Sequence, residues 1–370
     1  MRIFHLVPNM NYGGLQKVVE LLALQQLQTG HSVTIGCWTN ESNHPEVESE
    51  LERAGARLVY LRRADDGGLC FDRTLIFQRL KSHLGTKNAD VLHIHNPFNY
   101  YLYGALAAHT CRGTRIVNTA HATMMFDHPN FGRRSKTKFW TAAMLTDALV
   151  SVYSDGERFL RDRFFLPGKR LLTVENGINL TPFLAGPLRE PRREVVFGSA
   201  GRMEAEKNHR VLIEAFALLC RDYRNVRLRL LGSGRLEAEL KERVHNLGLD
   251  DAVEFCGFGH DVARFLEGLD IYVLPSDFEA HPISLLEAIA SGLPVVATNV
   301  GGVPGIVHKT GSGWLSPPRD AQALCSAMES AMNAPERWEA PKHAKQLVAE
   351  HYSCERMNRD YERLYNELLQ

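Results

Sequence analysis

The sequence predicts an α/β protein with two doubly wound parallel sheets, one in each half of the chain. Strand-like apolar segments alternate with helical segments through both halves, a pattern that favours parallel sheets covered by helices. The 370 residues suffice for two domains that each bury a core. Ligands bind such sheets at the carboxyl ends of the strands, and we expect the two domains to face each other across a ligand-binding cleft.

Short apolar segments mark the strands of a predicted first domain, residues 1–183. They are RIFHLVPN, HSVTIGCW, ARLVYL, DVLHIHN, RIVNTAH, ALVSVYS and LLTVEN. Helical patterns over Leu15–Gln28, Tyr101–Cys111 and Glu157–Phe165 separate several of these strands. A stretch rich in Pro and charge, LTPFLAGPLREPRRE, has neither a helical nor a strand period and is predicted to be the linker.

The alternation restarts after the linker and predicts a second domain over residues 184–350. Its strands are predicted at VVFGSAG, VRLRLLG, AVEFCGF, DIYVLPS and PVVAT. The chain ends in a charged helical pattern that follows Pro341. We expect residues 351–370 to form a C-terminal helix that returns to the first domain.

Composition excludes several protein classes. The 44% apolar and 23% charged residues are typical of a globular protein, and no apolar run reaches the ~20 residues of a membrane-spanning helix. The N-terminal segment MRIFHLVPNM lacks the long apolar region of a signal peptide. Seven scattered cysteines without a C-x-x-C pair indicate reduced thiols rather than a zinc site. We therefore expect a cytoplasmic protein.

The two halves differ in charge although the net charge is zero. Residues 1–180 hold 21 Lys+Arg against 16 Asp+Glu, and residues 181–370 hold 22 against 27. In the first half, basic residues cluster beside an aromatic one: Arg133, Arg134, Lys136, Lys138 and Trp140. Such a cluster is either a solvated helix face or a contact for an anionic membrane surface. Nucleic acid is not an expected partner.

Two glutamates stand eight positions apart, Glu279 and Glu287, and a helix is predicted to begin near Pro282. Glu279 would lie just before the start of this helix and Glu287 about one turn inside it. The unpaired N–H groups of Ile283 and Ser284 would point between the two carboxylates, where the positive end of the helix suits a phosphate group. The carboxylates accept hydrogen bonds and suit sugar hydroxyls. The pattern predicts a nucleotide-sugar site; the alternative is a capping carboxylate plus a surface glutamate.

Two cations, Arg202 and Lys207, flank the loop GSAGRMEAEKNH between a strand and a helix. Arginine can donate two hydrogen bonds to phosphate oxygens, and lysine supplies a mobile point charge. Together they could neutralise a diphosphate and the charge that builds on it as a glycosidic bond breaks. A solvated basic loop is the alternative.

Other candidate residues follow strands. His121 ends a strand in RIVNTAHATMMF and could bind a sugar hydroxyl, although a lone histidine is often structural. His93 and His95 are expected to face opposite sides of their strand, and neither is assigned to the site. Gly13 and Gly14 follow the first strand, where glycine permits a close approach to a ligand. The segment NYGGLQ is not the G-x-G-x-x-G of dinucleotide-binding proteins.

Taken together, these segments resemble the retaining glycosyltransferases of family four, which have the two-domain GT-B fold. The resemblance covers nearly the whole chain. It rests on Gly13 and Gly14, GRMEAEKNHRVLIEAF, the paired glutamates, and GGVPGIV followed by GSGWL. It implies transfer of a hexosyl or N-acetylhexosaminyl group from a nucleotide-diphosphate-sugar, preferentially a UDP-sugar. The implied acceptor is a glycan or a lipid-linked sugar of envelope polysaccharide or lipopolysaccharide synthesis, on the cytoplasmic membrane face.

The resemblance also assigns roles to single residues. It places Arg202 and Lys207 at the diphosphate, Glu279 and His121 at the transferred sugar, and Glu287 at the ribose. It puts the Gly13–Gly14 loop against the donor phosphates, and Gly257 and Phe258, from FCGFGHDV, near the base.

This chain departs from the commoner family pattern, in which glycines and an aromatic residue follow the first glutamate. Here Ala280, His281 and Pro282 stand in their place. Pro282 has no N–H to donate, so the phosphate contacts are expected from Ile283 and Ser284. The change also reshapes the sugar pocket around His281 and Pro282.

The family resemblance implies same-face attack, with the leaving diphosphate helping to deprotonate the acceptor. No metal and no cofactor beside the nucleotide-sugar co-substrate are expected, and the sequence has no Asp-x-Asp pair. Three alternatives remain: a sugar-nucleotide epimerase, a nicotinamide-dependent oxidoreductase, and a non-catalytic nucleotide-sugar sensor or scaffold. The missing glycine fingerprint disfavours the second. The four charged residues aimed at a leaving phosphate and its sugar disfavour the third.

Overall fold

The computed structural model of the protein divides into two compact units, Met1–Gly177 with Cys354–Gln370, and Ile178–Ser353. The division lies before the predicted boundary at 183/184, which falls inside a short helix. Most of the predicted linker, residues 185–193, lies outside the described residues. The structure describes residues 1–11, 13–39, 45–63, 70–85, 88–96, 99–111, 113–123, 126, 132–184, 194–259, 261–335 and 340–370.

The first unit is built on a parallel sheet with the strand order β3-β2-β1-β4-β5-β6-β7. The strands are β1 (Arg2–Val7), β2 (Ser32–Cys37), β3 (Arg57–Tyr60), β4 (Val91–His95), β5 (Arg115–Ala120), β6 (Ala148–Ser151) and β7 (Arg170–Thr173). All seven strands predicted for the first half are confirmed. The order reverses between β1 and β4, as in doubly wound sheets.

Helices connect these strands and cover the sheet. They are α1 (Gly14–Gln28), α2 (Pro45–Arg53), α3 (Arg73–Leu84), α4 (Asn99–Thr110), α5 (Arg133–Leu145) and α6 (Ser154–Arg163). Alternate residues of β1 enter two different hydrophobic clusters: Phe4 and Leu6 pack with residues of α3, α4 and α5, whereas Val7 packs with residues of α1 and α2. Because both faces of the sheet are covered, its central strands are buried almost throughout.

The second unit contains a parallel sheet with the order β10-β9-β8-β11-β12-β13. Its strands are β8 (Val195–Ala200), β9 (Val226–Leu231), β10 (Val253–Phe255), β11 (Ile271–Leu274), β12 (Val295–Thr298) and β13 (Gly313–Ser316). Its helices are α7 (Thr181–Leu184), α8 (His209–Asp222), α9 (Glu237–Asn246), α10 (Val262–Glu267), α11 (Ile283–Ala290), α12 (Val303–Thr310), α13 (Ala321–Asn333) and α14 (Ala340–His351).

The helical pattern at the end of the chain forms two helices, because α14 ends at His351 and α15 (Cys354–Leu369) begins three residues later. Helix α15 belongs to the first unit. There Tyr361 bonds the Thr119 hydroxyl at 2.9 Å, and Glu362 accepts from His31 at 2.9 Å. Within the described ranges, no helix is both long and apolar enough to span a bilayer. The seven cysteines, which all lie in those ranges, are free thiols.

Candidate functional site

Two loops of the second unit meet at the carboxyl edge of its sheet. One joins β8 to α8 and contains a 3-10 turn, Ala205–Lys207; the other joins β11 to α11. Because β8 and β11 are neighbouring parallel strands, both loops leave the same edge. The backbone N–H of Asp277 donates to the Glu206 carbonyl at 2.9 Å. The loops are therefore joined directly.

A buried carboxylate lies at this junction. Lys207 Nζ donates to Glu279 Oε1 at 2.6 Å, and Ser276 Oγ donates to the same oxygen at 2.7 Å. The Glu279 residue is only 8% exposed. An ionised carboxylate this deep is stable only when it is paired and hydrogen-bonded. Among the described residues no hydrogen bond reaches Oε2, which leaves that oxygen to accept from a ligand hydroxyl.

Asn208 holds the lysine loop in place. Its φ of 47° lies in the left-handed region, where asparagine is one of the better tolerated residues. Its side-chain oxygen accepts from Val211 N and caps α8, while Nδ2 donates to Asp277 Oδ1 at 2.6 Å. Arg319 donates to the other Asp277 oxygen at 2.7 Å. The loop that carries Lys207 is thus fixed to the loop that carries Glu279.

Helix α11 begins directly after Pro282, as predicted. Pro282 is extended (φ −72°, ψ 121°), so the N–H groups of Ile283 and Ser284 lie in a first turn, where no intrahelical carbonyl can accept from them. Glu287, half-buried, follows one turn later. This end of the helix can bind an anion through its N–H groups and its dipole.

Tyr272 of β11 lies within the electrostatic reach of both glutamates. Its hydroxyl donates to the Ala200 carbonyl at 3.2 Å. Burial raises the pKa of Tyr272, a hydrogen bond with Ser284 opposes that rise, and the charges of Glu279 and Glu287 add to it. Both carboxylates therefore act on the same phenol oxygen at the start of α11. Sequence reasoning missed Tyr272 and Ser276, although Ser276 stands three positions before Glu279.

Two glycines with positive φ bring further loops against the site. A Cβ on Gly232, which has φ +136°, would lie 2.0 Å from the Gly201 carbonyl oxygen. A Cβ on Gly301, which has φ +51°, would lie 1.6 Å from the Glu279 carbonyl oxygen. These glycines come from the LLGSG and GGVPGIV segments of the sequence. They are required because the loops pack backbone to backbone.

Three other residues predicted to bind the nucleotide-sugar lie in the second unit. His281 is buried with its ring centroid 5.3 Å from that of Tyr352, and its donor contact stays a prediction. Gly257, with φ +69°, follows β10 and accepts at its carbonyl from Gly232 N at 2.8 Å. Phe258 is 48% exposed.

The structure does not bring Arg202 to the buried carboxylate. Arg202 is 55% exposed in its side chain and donates to Glu206 at 2.9 Å. It lies on the same loop as Lys207 but forms a separate, solvated pair. Its predicted diphosphate contact stays a prediction.

In the first unit, His121 directly follows β5. Its backbone N–H donates to Asn96 Oδ1, and its Nε2 lies 3.0 Å from His95 Nδ1. Burial lowers the pKa of His121 to about 3, so the imidazole is neutral at neutral pH. Gly13 precedes α1 and Gly14 opens it, and a Cβ on Gly14 would meet no atom within 4 Å. Packing therefore does not explain why residue 14 is a glycine.

The expectation for His93 and His95 was wrong. Their ring centroids lie 4.0 Å apart on one face of β4. The physical reason is that side chains two positions apart in a strand project to the same side. The register then pairs His5 with His93, which adds the buried His5, a residue that sequence reasoning missed.

Comparisons with known proteins bear on both units. A family model described as Glycosyltransferase Family 4 matches residues 12–181, and one described as Glycosyl transferases group 1 matches residues 183–348. The putative colanic acid biosynthesis glycosyltransferase WcaL of Escherichia coli is 32% identical over 212 residues, which cover 55% of this chain and 52% of WcaL. The amylovoran biosynthesis glycosyltransferase AmsK of Erwinia amylovora is 34% identical over 173 residues, 44% of this chain and 42% of AmsK. The chain thus spans about half the length of these curated relatives.

Solved structures share the fold over the full length. Anabaena HepE in complex with UDP-glucose has a TM-score of 0.82 at 17% identity, covering 99% of this chain and 100% of that one. Sucrose-phosphate synthase of Thermosynechococcus elongatus has a TM-score of 0.80 at 19% identity, covering 99% and 98%. Since the two family models meet between residues 181 and 183 and together match nearly the whole sequence, the chain is a glycosyltransferase with the GT-B fold.

Proposed function

We propose that the protein transfers a sugar from a nucleotide-diphosphate-sugar, with UDP as the carrier, to a glycan or lipid-linked acceptor in envelope polysaccharide or lipopolysaccharide synthesis. The observation that carries this proposal is the Lys207–Glu279 pair beside the start of α11. The relatives WcaL and AmsK, named for colanic acid and amylovoran biosynthesis, support the acceptor class. The HepE complex with UDP-glucose supports the donor class.

The second unit offers one group for each part of such a donor. Lys207 supplies a positive charge for the diphosphate, and the N–H groups of Ile283 and Ser284 supply further donors. Glu279 Oε2 accepts from a hydroxyl of the transferred sugar, and Glu287 accepts from the ribose hydroxyls. Arg202 joins the phosphates by exchanging Glu206 for them.

The reaction we propose retains the anomeric configuration. A bond forms between the acceptor oxygen and the anomeric carbon as the bond from that carbon to the phosphate oxygen breaks on the same face. The acceptor proton passes to the leaving diphosphate, so no side chain has to act as a nucleophile. Lys207 and the start of α11 stabilise the charge that builds on the diphosphate. Because these groups neutralise the diphosphate, the reaction requires no divalent cation.

Thermal unfolding with a panel of nucleotide-sugars tests donor binding. A ligand at ~100 times its Kd adds about 2.7 kcal/mol of stability, which raises the midpoint measurably. We expect UDP-sugars to raise it more than GDP- or ADP-sugars carrying the same hexose. A panel without any stabilising member would contradict the proposal.

Turnover separates transfer from the alternatives. UDP release that depends on an added glycan or lipid-linked acceptor is expected for a transferase. Conversion of the donor without an acceptor would identify an epimerase, and tight binding without turnover would identify a sensor. NMR of the product tests retention through the anomeric configuration. Full turnover in excess chelator supports metal independence, and its loss would refute that part.

We also propose that the first unit contacts anionic lipid at the cytoplasmic membrane face through the N-terminal part of α5. Arg133, Arg134 and Lys138 are exposed there, and Trp140 is 43% exposed with its Nε1 donating to the Phe165 carbonyl at 2.9 Å. Phe165 is itself 81% exposed, so a second exposed aromatic residue borders Trp140. Basic and aromatic groups together suit a lipid surface.

Co-sedimentation with vesicles tests this contact. Binding to vesicles with anionic lipid should exceed binding to zwitterionic vesicles and should fall in the Trp140→Ala variant. Leu247→Ala, which truncates a comparably exposed side chain of the second unit, is the matched control. Binding that ignores lipid charge would count against the proposal.

A further inference from the structure

A row of buried imidazoles in the first unit ends at His121. His5 of β1 and His95 of β4 are fully buried. His5 Nδ1 lies 2.9 Å from His95 Nε2, and His95 Nδ1 lies 3.0 Å from His121 Nε2. At the other end, His5 Nε2 lies 2.7 Å from the side-chain oxygen of Gln26 in α1. Four side chains, from β1, β4, the residue after β5 and α1, thus form a continuous hydrogen-bonded row.

The row has only two self-consistent arrangements. Burial lowers the pKa of His5 to about 4 and that of His95 well below its usual value, so each ring is neutral at neutral pH. A neutral imidazole has one N–H donor and one acceptor nitrogen. Because one nitrogen must donate at each contact, all three rings carry the proton on Nε2 or all three carry it on Nδ1. The group at the end of the row decides between the two arrangements.

Gln26 is that group. Its oxygen faces His5, and an oxygen can only accept, so His5 must donate from Nε2. The amide nitrogen of Gln26 is buried, and among the described residues it has no hydrogen bond of ordinary geometry. Burial raises the pKa of the Tyr365 phenol in α15, and the Gln26 amide opposes that rise, so the amide also lies beside Tyr365.

A second branch of hydrogen bonds begins beside the same amide. Tyr365 lies 2.6 Å from His93 Nδ1, and His93 Nε2 lies 2.7 Å from Thr119 Oγ1. If the amide nitrogen faces Tyr365, the phenol proton can go to His93, and His93 can donate to Thr119. With the amide reversed, Tyr365 would donate to the amide oxygen, His93 would donate to Tyr365, and Thr119 would donate to His93. Both orientations satisfy this branch, so the orientation rests on the oxygen that faces His5.

The cluster also has the spacing of a metal site, because ligand atoms of His5, His93 and His95 lie within 4.8 Å of one another. A metal ion needs free lone pairs on these nitrogens. Both nitrogens of each of the three rings already have a hydrogen-bond partner in the protein. Hydrogen bonding accounts for the cluster without an ion.

We propose that Gln26, acting through His5 and His95, holds His121 in the tautomer protonated on Nε2 and so presents Nδ1 as a hydrogen-bond acceptor. Among the residues that the structure describes, Nδ1 of His121 has no partner, and the residue is half-buried rather than enclosed. Gln26 is a positioning residue in this scheme. The ligand consequence rests on the proposed function: Nδ1 accepts from a sugar hydroxyl, whereas the other tautomer would offer it an N–H.

Nitrogen NMR of the ligand-free protein, labelled with ¹⁵N-histidine, tests the tautomers directly. Spectra of His5→Asn, His95→Asn and His121→Asn assign the three rings among the 16 histidines. In the wild-type protein, all three are expected as neutral rings with the proton on Nε2. The Nδ1–H form at any of the three would overturn the proposal, and so would the shifts of nitrogens bound to a metal. The tautomers are read from the wild-type spectrum, and the three variants serve only to assign its signals.

Substitution of Gln26 then tests its role. In Gln26→Met, a variant of similar volume with no amide, we expect His121 to change from one tautomer to a mixture of both. Tyr101→Phe is the matched control, because it removes a buried hydroxyl of the same unit that bonds Thr146 and not the row or its branch. A pure Nε2–H form of His121 in Gln26→Met would show that Gln26 does not set the tautomer. Since no nucleotide-sugar is present, failure of the proposed function would leave this result unchanged.

Discussion

Lys207 and Glu279 together concentrate most of the site's chemistry in one contact. Glu279 has lost nearly all of its hydration, and the lysine ammonium and the Ser276 hydroxyl replace it on one oxygen. Lys207 keeps about a quarter of its side chain exposed. The ammonium can therefore meet an incoming anion while it still neutralises the carboxylate, which is what a leaving diphosphate requires.

Replacement of Lys207 by Ala should lower turnover by about 10²–10³-fold, the usual effect of removing one charge-stabilising donor. The loss should appear in kcat more than in KM, because charge on the leaving group is greatest in the transition state. Steady-state kinetics with the donor found in the thermal screen would measure it.

Lys241→Ala is the control for that variant, since Lys241 forms an exposed pair with Glu237 in the same unit. Exposed pairs of this kind contribute little, so turnover should stay at the wild-type level. Wild-type turnover in Lys207→Ala as well would remove Lys207 from the mechanism.

At the scale of elements, the sequence predicted the strands and the start of α11 because their signals are local. Each central strand is an apolar run between polar segments, and Pro282 marks where a helix can begin. Strand β13 escaped prediction. It is only four residues long, GWLS, and it pairs at the edge of the sheet through Gly313, where a Cβ would lie 2.6 Å from the Val295 carbonyl oxygen.

The pairings inside the site could be predicted only in part. The sequence placed Lys207 in a loop after one strand and Glu279 before a helix, but it could not show that they touch, because a contact 72 positions apart depends on the strand order. The same limit hid the row from Gln26 to His121. Its members come from four elements, and only the sheet register brings them together.

The loop after β12 supports the loop that carries Glu279, and Gly301 is where they meet. Gly301→Ala should destabilise the protein by about 2–4 kcal/mol, because the methyl group would overlap the Glu279 carbonyl and φ is positive. Activity per folded molecule should fall too, since the backbone of Glu279 has to move. Urea unfolding and turnover of the soluble variant would measure the two effects.

Gly305→Ala is the matched control in the adjoining helix α12, where a Cβ would meet no atom within 4 Å. Alanine is a better helix former than glycine, so stability should be unchanged or rise by about 0.5–1 kcal/mol. Equal stabilities of the two variants would refute the contact at Gly301.

At the scale of the whole molecule, buried neutral histidines make stability depend on pH. His209 of α8 is 3% exposed, and burial, helped by the charge of Lys207, lowers its pKa from 6.5 to about 4. Between these values the unfolded chain binds a proton that the folded chain excludes. Stability is therefore complete above pH 6.5 and falls as the pH drops toward 4, by about 1.4 kcal/mol per pH unit for each such histidine.

Thermal midpoints between pH 7 and pH 4.5 should show this fall in the wild-type protein. His209→Gln should show a shallower fall, because one of the buried histidines is gone. His245→Gln should keep the wild-type slope, since the His245 side chain is 77% exposed. An unaltered slope in His209→Gln would mean that His209 does not contribute.

Amide hydrogen exchange measured along the chain should show where UDP binds. The first turn of α11 has N–H groups without intrahelical partners, and hydrogen exchange there should be fast in the free protein. Saturating UDP should slow exchange at Ile283 and Ser284 and in the loop of Lys207, because the diphosphate accepts from these groups. UMP, which lacks the second phosphate, should protect them less.

Glu287→Gln should weaken UDP binding by about tenfold or more, the cost of a hydrogen bond to a charged group. Glu329→Gln, which alters a surface carboxylate bonded to Tyr223, should bind UDP normally. Protection that appears elsewhere in the second unit but not at α11 would place the nucleotide in a different site.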